Sequence, residues 1–253
     1  MKYLTGNSAQ QSSRMTEALQ DDLAGRFQRV LEAEIARVAN EMIDQYEMTR
    51  SAPVLPLEHE ARMAEIFAHM ASLSITTFGN RILDQSKASG LILETKSFAE
   101  MFARFVQNYI ADEAIRARIT SISNTVRDQI INQISAGQES GEGIAVIAKT
   151  IRERVPIISR FRSEVIARTE IHNASNYGID EAAKATGLQL RKEWVAAGDA
   201  RTRSDHRSAD GQVVDMDQPF VVGGERLMYP GDRRGSAEQT INCRCSVAHV
   251  VVD

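Results

Sequence analysis

From Leu19 to Tyr46 an apolar residue returns at almost every third or fourth position: Leu19, Leu23, Phe27, Val30, Leu31, Val38, Met42 and Tyr46. That spacing lays apolar side chains along one face of an α-helix and is incompatible with the two-residue alternation of a strand. The pattern predicts a helix from about Thr16, ended by Pro53 and Pro56. A second helical run covers about Leu57 to Gln85, with Phe67, Met70, Ala71, Phe78 and Ile82 as candidate buried positions. Lys87 to Thr95, which contains Gly90, reads as a turn, and Ser97 with Glu100 fits a capping box. The period then runs from Phe98 through Phe102, Phe105 and Tyr109 to Ile134, as one long helix or two abutting ones with an aromatic stripe in a bundle core. Ala136 to Gly143 is expected to be a flexible connector. A short helix to about Arg154, stopped by Pro156, and another from about Ser159 to Thr186 complete the series, with Gly187 as the C′ residue.

After Gly187 the texture changes. Leu188 to Val195, Val213–Val214, Phe220–Val222, Leu227–Tyr229 and Cys245–Val252 are short β-type runs, punctuated by Gly211, Pro219, Gly223–Gly224 and Pro230–Gly231. The expected class is α+β: an extended all-helical N-terminal arm, then a small mixed domain with a short antiparallel sheet. The expected division is a disordered segment over residues 1–14, a helical arm over 15–143 and an α+β domain over 144–253.

Composition excludes several classes. The formal net charge is −4, so a dedicated nucleic-acid binder, which carries a basic balance, is disfavoured. No apolar run reaches membrane-spanning length, and Met1 to Arg14 is Gln- and Ser-rich without the apolar stretch of a secretory signal. The only cysteines, Cys243 and Cys245, rule out a disulfide scaffold. On an extended strand their Cα atoms would stand about 7 Å apart, at the edge of what a bridge between them tolerates.

The chemically distinctive residues gather in the last third: Ala167-Arg168-Thr169-Glu170 on a helix with His172 and Asn173 just after, Trp194, Asp199 to His206, Tyr229-Pro230-Gly231-Asp232, and Asn242-Cys243-Arg244-Cys245. In this order the set resembles the phage Mu F-like family of head morphogenesis proteins, whose pattern runs from a helix ending in ARTE through a Trp strand, D-x-R-T-R-x-x-H, a Gly-Gly turn and Y-P-G-D to N-C-R-C. The resemblance covers roughly Ile144 to Asp253. It implies a minor head protein made in the host bacterial cytoplasm and resident in the virion, in the head interior near the portal. It further implies portal protein, capsid interior or scaffold as partners, with packaged DNA as a further candidate, and roles in head assembly or DNA delivery.

Read as chemistry, Cys243 and Cys245 on a strand share a face, with Arg244 on the other. Two thiolates with His206 offer three ligands suited to a structural zinc ion, and His172, Asp205 or Asp210 is a candidate fourth. Two buried thiols acting as small hydrophobes are the plainer alternative. Arg168, Arg201 and Arg203 have carboxylate partners in Glu170, Asp199 and Asp205, which predicts a structural network rather than a catalytic one. No catalytic residue is assigned. An acid–base site built on His206 and Glu170, as in a nuclease or an ADP-ribosyltransferase, needs a positioned partner that sequence alone does not supply. Arg152, Arg154, Arg160, Arg162 and Arg168 could form a phosphate-facing stripe, but Glu153, Glu164 and Glu170 interleave with them, so a solvated, ion-paired face is expected. His59, His69 and His249 are read as ordinary surface or core residues.

Overall fold

The computed structural model describes residues 2–5, 8–88, 90 and 98–252. A short strand β1 (Lys2–Tyr3) precedes five helices: α1 (Ala9–Thr49), α2 (His59–Ala88), α3 (Phe98–Ala111), α4 (Glu113–Glu139) and α5 (Ile144–Ala185). The remainder is β2 (Leu190–Val195), α6 (Ser204–Ser208), β3 (Val213–Asp215), β4 (Phe220–Val222), β5 (Glu225–Leu227), α7 (Ala237–Thr240) and β6 (Ser246–Val251). Helices fill the N-terminal region and a small antiparallel sheet follows, as the α+β reading expects. Ser97 lies outside the described residues, as does most of the turn expected after Lys87.

The chain forms two compact units from discontinuous segments. One comprises Gly25–Phe67 and Asp112–Ala167. Its core is the periodic apolar face read from sequence: Phe27, Leu31, Val38, Met42 and Tyr46 are buried, as are Ile115, Ile119, Val126, Ile130 and Ile134. Val30, by contrast, is 48% exposed. The unit also buries an ion-paired cluster. His59 Nδ1 lies 2.8 Å from Glu34 Oε1, and Arg37 donates to the same carboxylate at 2.7 and 2.9 Å. Arg152 bridges Asp44 and Glu47, at 2.6 Å each.

The other unit comprises Met1–Ala24, Ala68–Ala111 and Arg168–Asp253. Its main sheet has the strand order β1-β6-β2-β3, all antiparallel, and β4 pairs with β5 in a separate hairpin. Trp194 stands opposite Val247 and is fully buried, with the Phe220 ring edge-on at 5.5 Å. Pairing of Lys2 with Val251 and Tyr3 with Val250 gives order to a segment expected to have none.

Several boundaries differ from the sequence reading. Pro156 does not stop a helix: α5 runs unbroken through it. A proline removes one backbone hydrogen bond, while the buried neighbours Val155, Ile151 and Ile147 each add roughly 1.5–3 kcal/mol on burial, enough to hold the helix together. The expected connector is shorter, because α4 continues to Glu139 and only Ser140 to Gly143 intervene. The aromatic stripe of α3 buries Phe102 and Tyr109 fully, whereas Phe98 and Phe105 are half-buried. The strand expected at Leu227–Tyr229 is β5, three residues long and ending at Leu227.

Candidate metal centre

The two cysteines sit in the turn just before β6, not on the strand itself. Asn242, with φ of 54°, bends the chain there, and its N–H donates to Thr169 Oγ1 of α5 at 3.1 Å. The two thiols still converge. His206 Nδ1 lies 3.3 Å from Cys245 Sγ and 3.6 Å from Cys243 Sγ. All three ligand atoms fall within 4.8 Å of one another, and all three residues are buried. His206 comes from the middle of α6, which packs its ring edge-on to Trp194 at 5.4 Å. Two thiolates and an imidazole are the donor set that zinc prefers, and they stand close enough to share one ion.

The candidate fourth ligands are committed elsewhere. His172 Nε2 donates to the Cys245 carbonyl at 2.7 Å, and burial pushes this imidazole toward the neutral form. Asp210 accepts the Ala196 N–H at 2.8 Å. Asp205 faces the Gln239 amide at 3.4 Å. Among the described residues no fourth histidine, cysteine or carboxylate joins the three. His172 instead acts on the backbone. Asn176, one turn further along α5, accepts from the Val247 N–H at 3.4 Å, so the two side chains hold the backbone on either side of Ser246, directly after Cys245.

Burial pushes the Cys243 thiol up. The hydrogen bond from Cys243, then the nearby His206, draws Cys245 below the ordinary thiol range.

The arginine network is rearranged relative to the sequence reading. Asp199 stands outside α6, whose N-cap is Arg203 with no side-chain bond. It accepts from the Arg201 N–H at 3.0 Å and the Thr202 hydroxyl at 3.1 Å. Its principal partner is Arg244, bidentate at 2.5 and 2.7 Å, while the Arg201 guanidinium stands at 3.5 Å. Arg203 donates to the Ile241 carbonyl at 2.6 Å rather than to Asp205. Arg168 is half-buried and Glu170 buried on α5. In the Y-P-G-D turn, Gly231 has φ of 78°, and a Cβ there would come 2.7 Å from His172 Nδ1. The Asp232 carboxylate accepts the Met228 and Arg234 N–H groups at 2.8 and 3.1 Å.

Two buried polar groups were not legible beforehand. His249 Nε2 lies 3.2 Å from Asp180 Oδ1, both essentially inaccessible, and Lys184 Nζ lies 2.8 Å from the other oxygen. Lys192 is fully buried and donates to the Met228 carbonyl at 2.7 Å. Gln239, 3% exposed, is a further buried polar side chain with no signal in the sequence.

Residues 124–248 match the family described as Phage Mu protein F like protein. The matched segment begins at Asn124 within α4, earlier than the Ile144 boundary of the sequence reading, and ends at Ala248 in β6. Three curated proteins are similar to the chain. The NAD(+)–arginine ADP-ribosyltransferase EFV of Enterococcus faecalis is 30% identical over 145 residues, 56% of this chain and 29% of that protein. Minor head protein GP7 of Bacillus phage SPP1 is 34% identical over 142 residues, 54% of this chain and 43% of its own length. The uncharacterized protein YqbB of Bacillus subtilis is 30% identical over 130 residues, 50% of this chain and 41% of YqbB. The chain thus spans less than half the length of each of these relatives. No solved structure matches it. Over residues 124–248, which hold the ARTE helix, the histidine and both cysteines, the chain matches the Phage Mu protein F like family.

Proposed function

We propose that the protein is a minor head component that serves head morphogenesis by binding other virion proteins, with the portal as principal partner and the capsid interior or scaffold beside it. The observation that carries this reading is the family match over residues 124–248 together with 34% identity to a minor head protein. The protein works as a binding module rather than an enzyme, resides in the virion, and a zinc ion at His206, Cys243 and Cys245 staples the cysteine turn to α6. Ile157 and Phe161, four residues apart on α5 and 72% and 69% exposed, supply an apolar face suited to docking. Among the described residues no helix is long and apolar enough to cross a membrane. The test is size-exclusion chromatography with light scattering of the purified chain, with and without the cognate portal protein. A co-migrating complex at micromolar concentration is expected. Separate migration of the two proteins would overturn portal docking.

The similarity to an ADP-ribosyltransferase supports a second reading, in which the chain is catalytic. Its acid–base candidates argue against it: His206 and Glu170 are 1% and 4% exposed, so neither is open to a substrate. Incubation with NAD+ and an arginine-rich acceptor protein is expected to leave the NAD+ intact. Transfer of ADP-ribose that is lost on substitution of Glu170 would establish the catalytic reading. Direct DNA contact has weaker support, because Arg152 is held by Asp44 and Glu47 and Arg154 by Gln133. Affinity for DNA that falls steeply with added salt would restore it.

A further inference from the structure

The far side of the His206 ring bears on which of its nitrogens is free. Gln239 Oε1 lies 2.9 Å from His206 Nε2, and Gln239 Nε2 lies 3.4 Å from Asp205 Oδ2. An ionised carboxylate only accepts hydrogen bonds, so Asp205 fixes the amide with its NH2 toward itself. The amide oxygen then faces His206, and because it too only accepts, His206 Nε2 carries the hydrogen. In the neutral ring this leaves the Nδ1 lone pair directed at Cys243 and Cys245. Gly223 completes the arrangement. Its φ is +56°, and a Cβ there would collide with the Gln239 amide nitrogen and stand 2.6 Å from Asp205 Oδ2, so only glycine lets the β4–β5 turn close over the pair. Gln239 and Gln239's neighbours on α7 are otherwise remote in sequence from α6, and Gln239 is 3% exposed, so the amide is held inside the fold for these two partners.

We propose that Gln239 is the positioning residue of a metal centre: by accepting the Nε2–H of His206 it presents Nδ1, with the thiolates of Cys243 and Cys245, as a preformed three-ligand set. The inference rests on the zinc reading given above and adds to it the ligating nitrogen and the group that selects it. A ligating histidine whose other nitrogen donates to an acceptor has its tautomer and ring orientation set before the metal arrives, and loss of such a partner weakens binding about 10–100-fold. A tetrahedral ion held by these three side chains would need one further ligand, and in so buried a site a water would be the group small enough to supply it.

The full-length protein, reduced and stripped with a chelator, would be titrated with Co2+, whose thiolate charge-transfer absorption reports sulfur ligation, and then with Zn2+ in competition. The wild type is expected to bind a single ion with that absorption, and Gln239→Met, similar in volume but without the amide, to bind about 10–100-fold more weakly while keeping its circular dichroism. If the wild type binds no ion, the metal reading fails and the proposal with it. If the wild type binds and Gln239→Met binds equally well, the metal stands and the positioning role is overturned. A measurement on the wild type alone guards against a variant that does not fold. In long-range proton–nitrogen correlation spectra of the zinc-loaded protein, His206 is expected as the Nε2–H tautomer, and an Nδ1–H pattern would overturn the proposal.

Discussion

Asp199 and Arg244 meet in a two-pronged ion pair, with guanidinium nitrogens 2.5 and 2.7 Å from the two carboxylate oxygens. Arg244 lies between the two cysteines in sequence and Asp199 opens the loop that leads to His206, so the pair ties together the two segments that supply the metal ligands. It draws the Asp199 carboxyl well below its usual range. A carboxyl depressed in the folded state adds stability that is fully present above its unfolded value, roughly 3.9, and is lost as pH falls toward the folded value. Asp199 is 39% exposed, so solvent screening limits the contribution to about 1 kcal/mol. Asp199→Asn should therefore lower the unfolding free energy obtained from urea titration at pH 7 by that amount, and the gap to wild type should narrow as the titration is repeated down to pH 3. A gap independent of pH would show that the charge of Asp199 is not its source.

Asp180 on α5 is wholly buried against His249 of β6, with Lys184 on its other oxygen. Burial pushes its carboxyl up, but His249 and the lysines outweigh that, and the net direction is down. Its contribution is thus present at neutral pH and lost in acid. Removing one partner of a buried pair leaves the other uncompensated, at about 3–5 kcal/mol. Lys184, 37% exposed, can turn to water, which places Asp180→Ala near 3 kcal/mol, the low end of that range. Chemical denaturation at pH 7 checks this, and a loss below about 1 kcal/mol would mean that His249 and Lys184 find other partners.

How far the sequence went depended on the range of the interactions involved. Helices with an unbroken apolar face, such as α1 with Leu31, Val38 and Met42, were legible because the signal lies within the element. So was the convergence of His206 with Cys243 and Cys245, which the residue types suggest, although the geometry differs: the cysteines occupy a turn held by Asn242 and Thr169, not a strand. Partner choice was not legible. Arg244 and Arg201 are equally plausible for Asp199 on charge alone, and only the fold brings Arg244 closer. His249 and Lys192 look ordinary in the sequence because Asp180 and the Met228 carbonyl reach them from other elements. Gln239 carried no signal, since a glutamine on a four-residue helix is unremarkable until His206 and Asp205 face it.

At Gly178, α5 approaches the backbone of α2 closely. A Cβ there would lie 2.8 Å from Ile75 Cα and 2.9 Å from its carbonyl oxygen, and backbone atoms cannot turn aside as a side-chain tip can. Alanine normally favours a helix over glycine by up to about 1 kcal/mol. Here the overlap outweighs that preference, and Gly178→Ala should destabilise by about 1–3 kcal/mol. A raised melting temperature for this variant would mean that the two helices separate without penalty.

Pro156 supplies the opposite case, a residue whose removal should strengthen the fold. It lies inside α5, is exposed, and cannot donate the backbone hydrogen bond that the helix offers at that position. Proline in a helix interior is disfavoured by about 3 kcal/mol relative to alanine. Part of that is offset because proline also restricts the unfolded chain, an effect of about 0.4–1 kcal/mol in its favour. The helix has already adapted around the missing donor, so the gain falls short of the full difference. Pro156→Ala is expected to stabilise the protein by about 1–2 kcal/mol, seen as a higher melting temperature by circular dichroism at 222 nm. A drop in melting temperature would show that the proline fixes a local bend on which the packing of Val155 and Ser159, both buried beside it, depends.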